Sequence, residues 1–405
     1  MLNQDIVREA TRLTRAGRLV EATALLQRML RGGTAPGMTS DTAGDTAPRG
    51  RAPLIIDAKA NRIAETDRPF SRVTSTPPHM PSEELSGGAT KRRPGLRARI
   101  RRAPPSTPDI VPEGTKFIEG TYSNAAGSRA YKLFIPGHYQ GQPLPLIVML
   151  HGCTQSPDDF AAGTRMNFIA EEQTCLVAYP AQPRAANQAK CWNWFRTEDQ
   201  QRGRGEPSLI EGITRQIMRD YAVDPKRVYI GGLSAGAAAA AVMGATYPDL
   251  YAAIGIHSGL ACGAATDLPS AFVAMRQGGT AASSGSGDGI MPTGDATVPA
   301  IAFHGDRDMT VHPANADHIL ALSARTTRTQ MTVYRGRVAG GHAFTRTVHT
   351  DARGRGLFEH WSIHGAGHAW SGGSPAGSYT DPRGPDATKE MLRFFLAHTL
   401  PEQRG

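Results

Sequence analysis

The sequence predicts an α/β fold: a mostly parallel sheet with helices on both faces, preceded by an N-terminal helical and disordered extension. Three observations lead there. From about residue 114 onward, short apolar runs alternate with stretches of helical length. One run ends in Gly232-Leu233-Ser234-Ala235-Gly236 and passes directly into an alanine-rich stretch. The residues before 114 lack this alternation.

The extension has two parts. Ile6, Ala10 and Leu13 share one helical face, and Leu19, Ala22, Leu26 and Met29 share another, with Gly17 between them and Gly32-Gly33 after them. Residues 1–32 therefore read as a helical hairpin. Residues 33–113, rich in Thr, Ala, Pro, Gly and Arg, read as a disordered basic linker. Within it, KRRPGLRARIRR (91–102) carries seven basic residues and fits contact with an anionic surface such as a granule or membrane. The net charge is +9, and residues 1–110 hold 19 Lys/Arg against 11 Asp/Glu. The excess thus lies outside the expected catalytic domain, 114–400, and no nucleic-acid partner is expected.

Buried strands are expected over 144–150, 174–180, 227–233, 252–259, 298–305 and 356–365, which are apolar and rich in β-branched residues. Helices are expected over 208–221, 235–246, 312–324 and 386–398. Ser208 and Glu211 have the spacing of a capping box that would open the first of them. Residues 263–297, which include GGTAASSGSGDG, read as a surface insertion.

No run of 18 apolar residues exists, so no transmembrane segment is expected. The charged N-terminus does not read as a secretory signal, which favours the cytoplasm, with an extracellular site as the alternative. Cys153, Cys175, Cys191 and Cys262 form no CxxC pair, so no metal site is expected, and their number fits a reducing compartment. A Cys191–Cys262 bridge is allowed, but spacing does not determine pairing. Nor does the sequence set an oligomeric state.

The chemistry centres on Ser234. A strand, Gly-x-Ser-x-Gly and a helix together make a nucleophile elbow, the hallmark of an α/β-hydrolase fold. The glycines matter because the serine must sit on a tight turn against a neighbouring strand. A hydroxyl alone is a poor nucleophile, so a base and an orienting acid must follow on later strand ends. Asp308 is the preferred acid and Asp306 the alternative; His368 is the preferred base and His364 the alternative. The strand over 144–150 runs into His151-Gly152-Cys153, whose backbone, with the N–H of Ala235, is placed to form an oxyanion hole. Trp192, Trp194 and Trp370 are candidates for a substrate-lining wall. His257, His304 and His312 read as packing or loop residues. No cofactor is expected.

Taken together, IVMLHGCTQ, VAYPAQ, CWNWF, RGEPSLI, DPKRVYIGGLSAGAA, YPDLYAA, HGDRDMTV, GAGHAWSGG and GSYTDPRGPDATKEMLRFFLAH resemble, in this order, the poly(3-hydroxybutyrate) depolymerase family of esterases. The resemblance spans roughly residues 115–400. It implies an α/β-hydrolase fold, hydrolysis of carboxylic esters such as polyhydroxyalkanoates, Ser234, Asp308 and His368 as a triad, and Cys153 with Ala235 as the oxyanion hole. Rival expectations are a feruloyl or acetyl esterase acting on polysaccharide, and a granule- or membrane-binding protein working through its basic N-terminal region.

Overall fold

The computed structural model describes residues 110–278, 298–324 and 329–402. The expected hairpin over 1–32, the basic segment 91–102 and the linker as far as residue 109 lie outside them. Packing begins before residue 114: Ile110 and Val111 already lie against the core, and the Ile110 carbonyl accepts from Asn167 Nδ2.

The chain opens with an antiparallel hairpin, β1 (Lys116–Asn124) and β2 (Gly127–Ile135). Then come β3 (Leu144–Leu150), β4 (Leu176–Pro180), β5 (Val223–Leu233), β6 (Ala253–His257) and β7 (Ala300–Gly305). A second hairpin, β8 (Gln330–Arg337) and β9 (Ala343–Thr350), leads into β10 (Gly356–His364). These ten strands form one sheet in the order β1-β2-β4-β3-β5-β6-β7-β10-β9-β8. The six central strands, β4 to β10 in that order, are parallel, and the two at each edge are antiparallel. This is the α/β-hydrolase fold.

The helices among the described residues are α1 (Pro157–Thr164), α2 (Met166–Glu172), α3 (Gly205–Asp220), α4 (Ala235–Thr246), α5 (Leu268–Gln277), α6 (Ala314–Ala324) and α7 (Ala387–Leu396). Strand alternation sorts them onto two faces. On β3, Leu146, Val148 and Leu150 point to the side of α3 and α4, where they meet Ile213, Ile217 and Ala237–Ala241. Ile147 and Met149 point the other way, toward Phe160 of α1, Met166 of α2 and Phe394 of α7. Every residue of β3 is buried, as both-sided cover requires.

Several expectations change in detail. The first helix starts at Gly205, not at a capping box: Ser208 lies inside it, with its hydroxyl bonded back to the Gly205 carbonyl. The insertion over 263–297 holds the helix α5, opened by an Asp267–Ser270 capping box and buried only at Ala271 and Ala274. Leu268, Phe272 and Val273 are apolar yet exposed, so the apolar residues of this helix do not mark a core-facing side. The hairpins escape notice for a similar reason: seven of the eight β8 positions are exposed.

Strand order sets the position of the site. From β3 the chain moves to β4 on one side and then returns to β5 on the other. The carboxyl ends of β3 and β5 therefore diverge into loops leaving in opposite directions, the usual place for a crevice in an α/β sheet. The Gly152–Cys153 loop leaves one of these ends and Ser234 the other. Among the described residues no helix is long and apolar enough to cross a membrane.

Candidate active site

Ser234 stands between the end of β5 and the start of α4 with φ 57° and ψ −119°. That conformation is costly for a side chain of L configuration, by roughly 1–3 kcal/mol, and persists only where packing enforces it. Here the enforcement is close. A Cβ added at Gly236 would collide with the Leu150 and His151 carbonyl oxygens, and one at Gly232 with the backbone of Gly236. The Ser234 N–H donates to the His257 carbonyl of the adjacent strand at 2.9 Å.

Asp308 and His368 are brought together. His368 Nδ1 lies 2.7 Å from Asp308 Oδ2, and the Asp308 side chain is fully shielded from solvent. Its other oxygen accepts the Thr310 and Val311 amides at 2.8 and 2.9 Å. Burial alone would raise this carboxyl's pKa, but hydrogen bonds from His304 and His368 and the Val311 amide outweigh it and hold it well below the usual carboxylate range. An ionised carboxylate only accepts, so His368 must donate from Nδ1, which leaves Nε2 as the basic nitrogen. The alternatives pair with each other instead. His364 Nδ1 contacts Asp306 Oδ2 at 3.0 Å, and its Nε2 is engaged by Thr345 Oγ1 at 2.9 Å. His257 is tied into the site on both sides: its carbonyl holds Ser234, and its ring accepts the Ser371 amide at Nε2 and stacks on Trp370.

The loop after β3 has its amides assigned one by one. Gly152 N–H donates to Gln155 Oε1, Thr154 N–H to the Ala189 carbonyl and Gln155 N–H to the Gly152 carbonyl. Cys153 N–H has no acceptor among the described residues, and neither has Ala235 N–H, the first amide of α4. These are the two donors that the sequence singled out. A web of side chains fixes the loop. The His151 ring bonds the Gly152 carbonyl through Nδ1 and accepts the Gln182 amide at Nε2, and the His151 carbonyl accepts Trp192 Nε1. Behind it, buried Glu206 accepts both amides of Asn193 and the side chain of Gln182.

Cysteine pairing is corrected. Cys153 is bridged to Cys191, not Cys191 to Cys262; Cys175 and Cys262 are free. The bridge staples the loop after β3 to the tryptophan-bearing loop. The cysteine number fitted a reducing compartment, whereas a bridge is typical of oxidising ones. Spacing gave no hint of it, because the partners meet only once β3 and β4 lie side by side.

The tryptophans are also corrected. Trp192, Trp194 and Trp370 are 0, 6 and 1% exposed, so they line no open wall. Trp192 holds the loop after β3 through the His151 carbonyl, and Trp370 stacks on His257 and bonds Thr388. Exposed residues at this edge are Tyr379, whose hydroxyl meets Thr154 Oγ1 at 3.1 Å, and Met309, next to Asp308. A cleft of about 700 Å³ beyond Cys191 is lined by Asn187, Asn193, Phe195, Arg196, Gln201 and Leu268, among others.

The family model of the PHB depolymerase esterases matches residues 129–339. The chain belongs to this esterase family. The match contains Ser234, Asp308 and Cys153 and ends before His368. Poly(3-hydroxyalkanoate) depolymerase C of Paucimonas lemoignei is 35% identical over 228 residues, 55% of this chain and 54% of that protein. Feruloyl esterase B of Neurospora crassa is 32% identical over 152 residues, 36% of this chain and 50% of that protein. The chain spans about half the length of the curated relatives it matches. The acetyl xylan esterase of Aspergillus awamori shares the fold with a TM-score of 0.50 at 18% identity, over 69% of this chain and 99% of that one.

Two measurements follow for this PHB depolymerase family esterase. Denatured, unreduced protein should titrate two thiols, and reduced protein four; four thiols without reductant would contradict the Cys153–Cys191 bridge. Burial pushes the pKa of His151 down to about 4 and of His257 down to about 3. Both stay neutral in the fold while the unfolded chain protonates them near 6.5. Unfolding therefore takes up protons below that pH, and stability is full above it and declines as pH falls toward 4. Each group should remove about 1.4 kcal/mol per pH unit in that window. His151 and His257 together should lower the urea-unfolding free energy by about 2–3 kcal/mol between pH 7 and 5.5, and His360, which burial lowers to about 4, adds in the same direction; equal values would contradict neutral burial.

Proposed function

We propose that the chain is a serine esterase that hydrolyses the carboxylic esters of polyhydroxyalkanoates or their oligomers. The observation that carries this reading is the 2.7 Å Asp308–His368 contact at the same sheet edge as the strained Ser234 turn. His368 Nε2 takes the Ser234 proton as Oγ attacks the ester carbonyl. The charge that forms on the carbonyl oxygen is received by Cys153 N–H and Ala235 N–H, each worth roughly 3–4 kcal/mol in the transition state. The C–O bond to the alcohol then breaks, and His368 gives the alcohol its proton. Water repeats the sequence on the acyl-enzyme, releasing the acid and restoring Ser234. Asp308 stays ionised throughout and steadies the imidazolium. The polyester assignment is supported by family membership and by the depolymerase of Paucimonas lemoignei.

A second reading, an ester carried on polysaccharide, is favoured by the feruloyl esterase relative.

Ser234→Ala should lower kcat/KM for p-nitrophenyl butyrate by about 10⁴-fold or more at unchanged melting temperature. Full activity in that variant would sink the assignment. On natural substrates, wild-type protein should cleave 3-hydroxybutyrate oligomers faster than methyl ferulate or acetylated xylan; the reverse ranking would select the second reading.

A further inference from the structure

We propose that Asp306 and His364 form a positioning clamp for the base, holding the loop that carries His368 in register with the loop that carries Asp308. The inference rests on the esterase reading above. The two loops leave neighbouring parallel strands, with Gly305 of β7 opposite Ile363 of β10. The base loop, Gly365-Ala366-Gly367, has little stiffness of its own, and Gly365 takes φ +85°. Four contacts tie it to the acid loop. Asp306 N–H donates to the Ile363 carbonyl at 3.1 Å and Arg307 N–H to the Ala366 carbonyl at 3.0 Å. Gly365 N–H donates to Asp306 Oδ1 at 2.7 Å, and His364 Nδ1 meets Asp306 Oδ2 at 3.0 Å. One carboxylate thus spans the first turn of the base loop.

The ring in this clamp is fixed on both sides. Burial would raise the Asp306 pKa, but the Gly365 amide and His364 outweigh it and lower it, so the group is an ionised acceptor. His364 then donates from Nδ1, and its Nε2 accepts Thr345 Oγ1–H from β9. The His364 carbonyl is held in turn by His342 Nδ1 at 3.0 Å, and His342 Nε2 meets Asp381 Oδ2 at 2.8 Å. Thr345, His364 and Asp306 reproduce the hydroxyl, imidazole and carboxylate of a triad, yet they differ from Ser234, His368 and Asp308 in setting. The His364 and Asp306 side chains are 43 and 40% exposed, against 13 and 0% for His368 and Asp308. Thr345 lies within β9 and not on a strand-to-helix turn that would strain a nucleophile. An ion pair this exposed adds little to stability. Its effect should fall on the geometry of His368, where misplacement by about 1 Å can cost as much as about 100-fold in rate.

The test is a double-mutant cycle on p-nitrophenyl butyrate with Asp306→Asn, His364→Ala and the double variant, each with a melting curve. The clamp predicts that each single change lowers kcat by about 10-fold with KM within about two-fold and melting unchanged, and that the double variant is no worse than either single. Unchanged kcat in the singles, losses that multiply in the double, or a fall in kcat that tracks KM and melting would overturn it. Ser234→Ala is run in parallel: if it retains activity, the esterase reading fails whatever the clamp variants do.

Discussion

The structure turns on one constraint, the left-handed backbone at Ser234. A residue with φ 57° at a strand-to-helix junction projects its side chain away from the sheet, but only if the strand before it and the helix after it press together. Gly232 and Gly236 allow that approach, because any side chain there would meet backbone from β3, its loop or α4. The alanine run of α4 continues it: five successive alanines, Ala237–Ala241, are all buried, so the helix is small enough to be packed on every side. The same contact brings the α4 N-terminus beside the His151–Cys153 loop. The loop after β3 also approaches the serine itself: a Cβ at Gly152 would lie 3.6 Å from the Ser234 Cβ.

Among the described residues the Cys153 and Ala235 amides have no acceptor, and two devices hold the loop around them. The neighbouring amides are satisfied internally, so the loop does not need the Cys153 N–H for its own stability. Behind the loop, Glu206 is buried with four donors around it, from Arg129, Gln182 and both amides of Asn193. Burial raises its pKa in spite of those donors. From Glu206 the path to the loop after β3 runs through Gln182 to the His151 ring and through Asn193 and Trp192 to the His151 carbonyl. The Cys153–Cys191 bridge adds a covalent path beside these. Preorganisation of this kind lets backbone donors act without rearranging during reaction.

What the sequence shows and what it hides divide along a physical line. The parallel core is legible because strands buried on both faces are continuous apolar runs, as in 144–150 and 298–305. Ser234, Asp308 and His368 are legible because each lies at a fixed place past a strand end. The edge hairpins are not, since β1 and β8 bury too little to impose a period. The disulfide, the Glu206 hub and the Asp306–His364 pair are hidden because their partners meet only in the folded sheet. The tryptophans mislead for a different reason: a cluster of aromatics near a site looks the same in sequence whether it lines the wall or props the loop behind it. Their burial and their indole hydrogen bonds distinguish the two.

The central claim is that Cys153 and Ala235 are the donors facing the reacting oxygen once Ser234 has attacked. A crystal structure of the chain after reaction with a p-nitrophenyl alkylphosphonate tests it directly. In such an adduct p-nitrophenolate has left, and a tetrahedral phosphorus carries the oxygen that mimics the charged intermediate. The account predicts phosphorus bonded to Ser234 Oγ, with that oxygen within hydrogen-bonding distance of both the Cys153 and Ala235 amides. An adduct on another residue, or an oxygen turned away from those two amides, would contradict it.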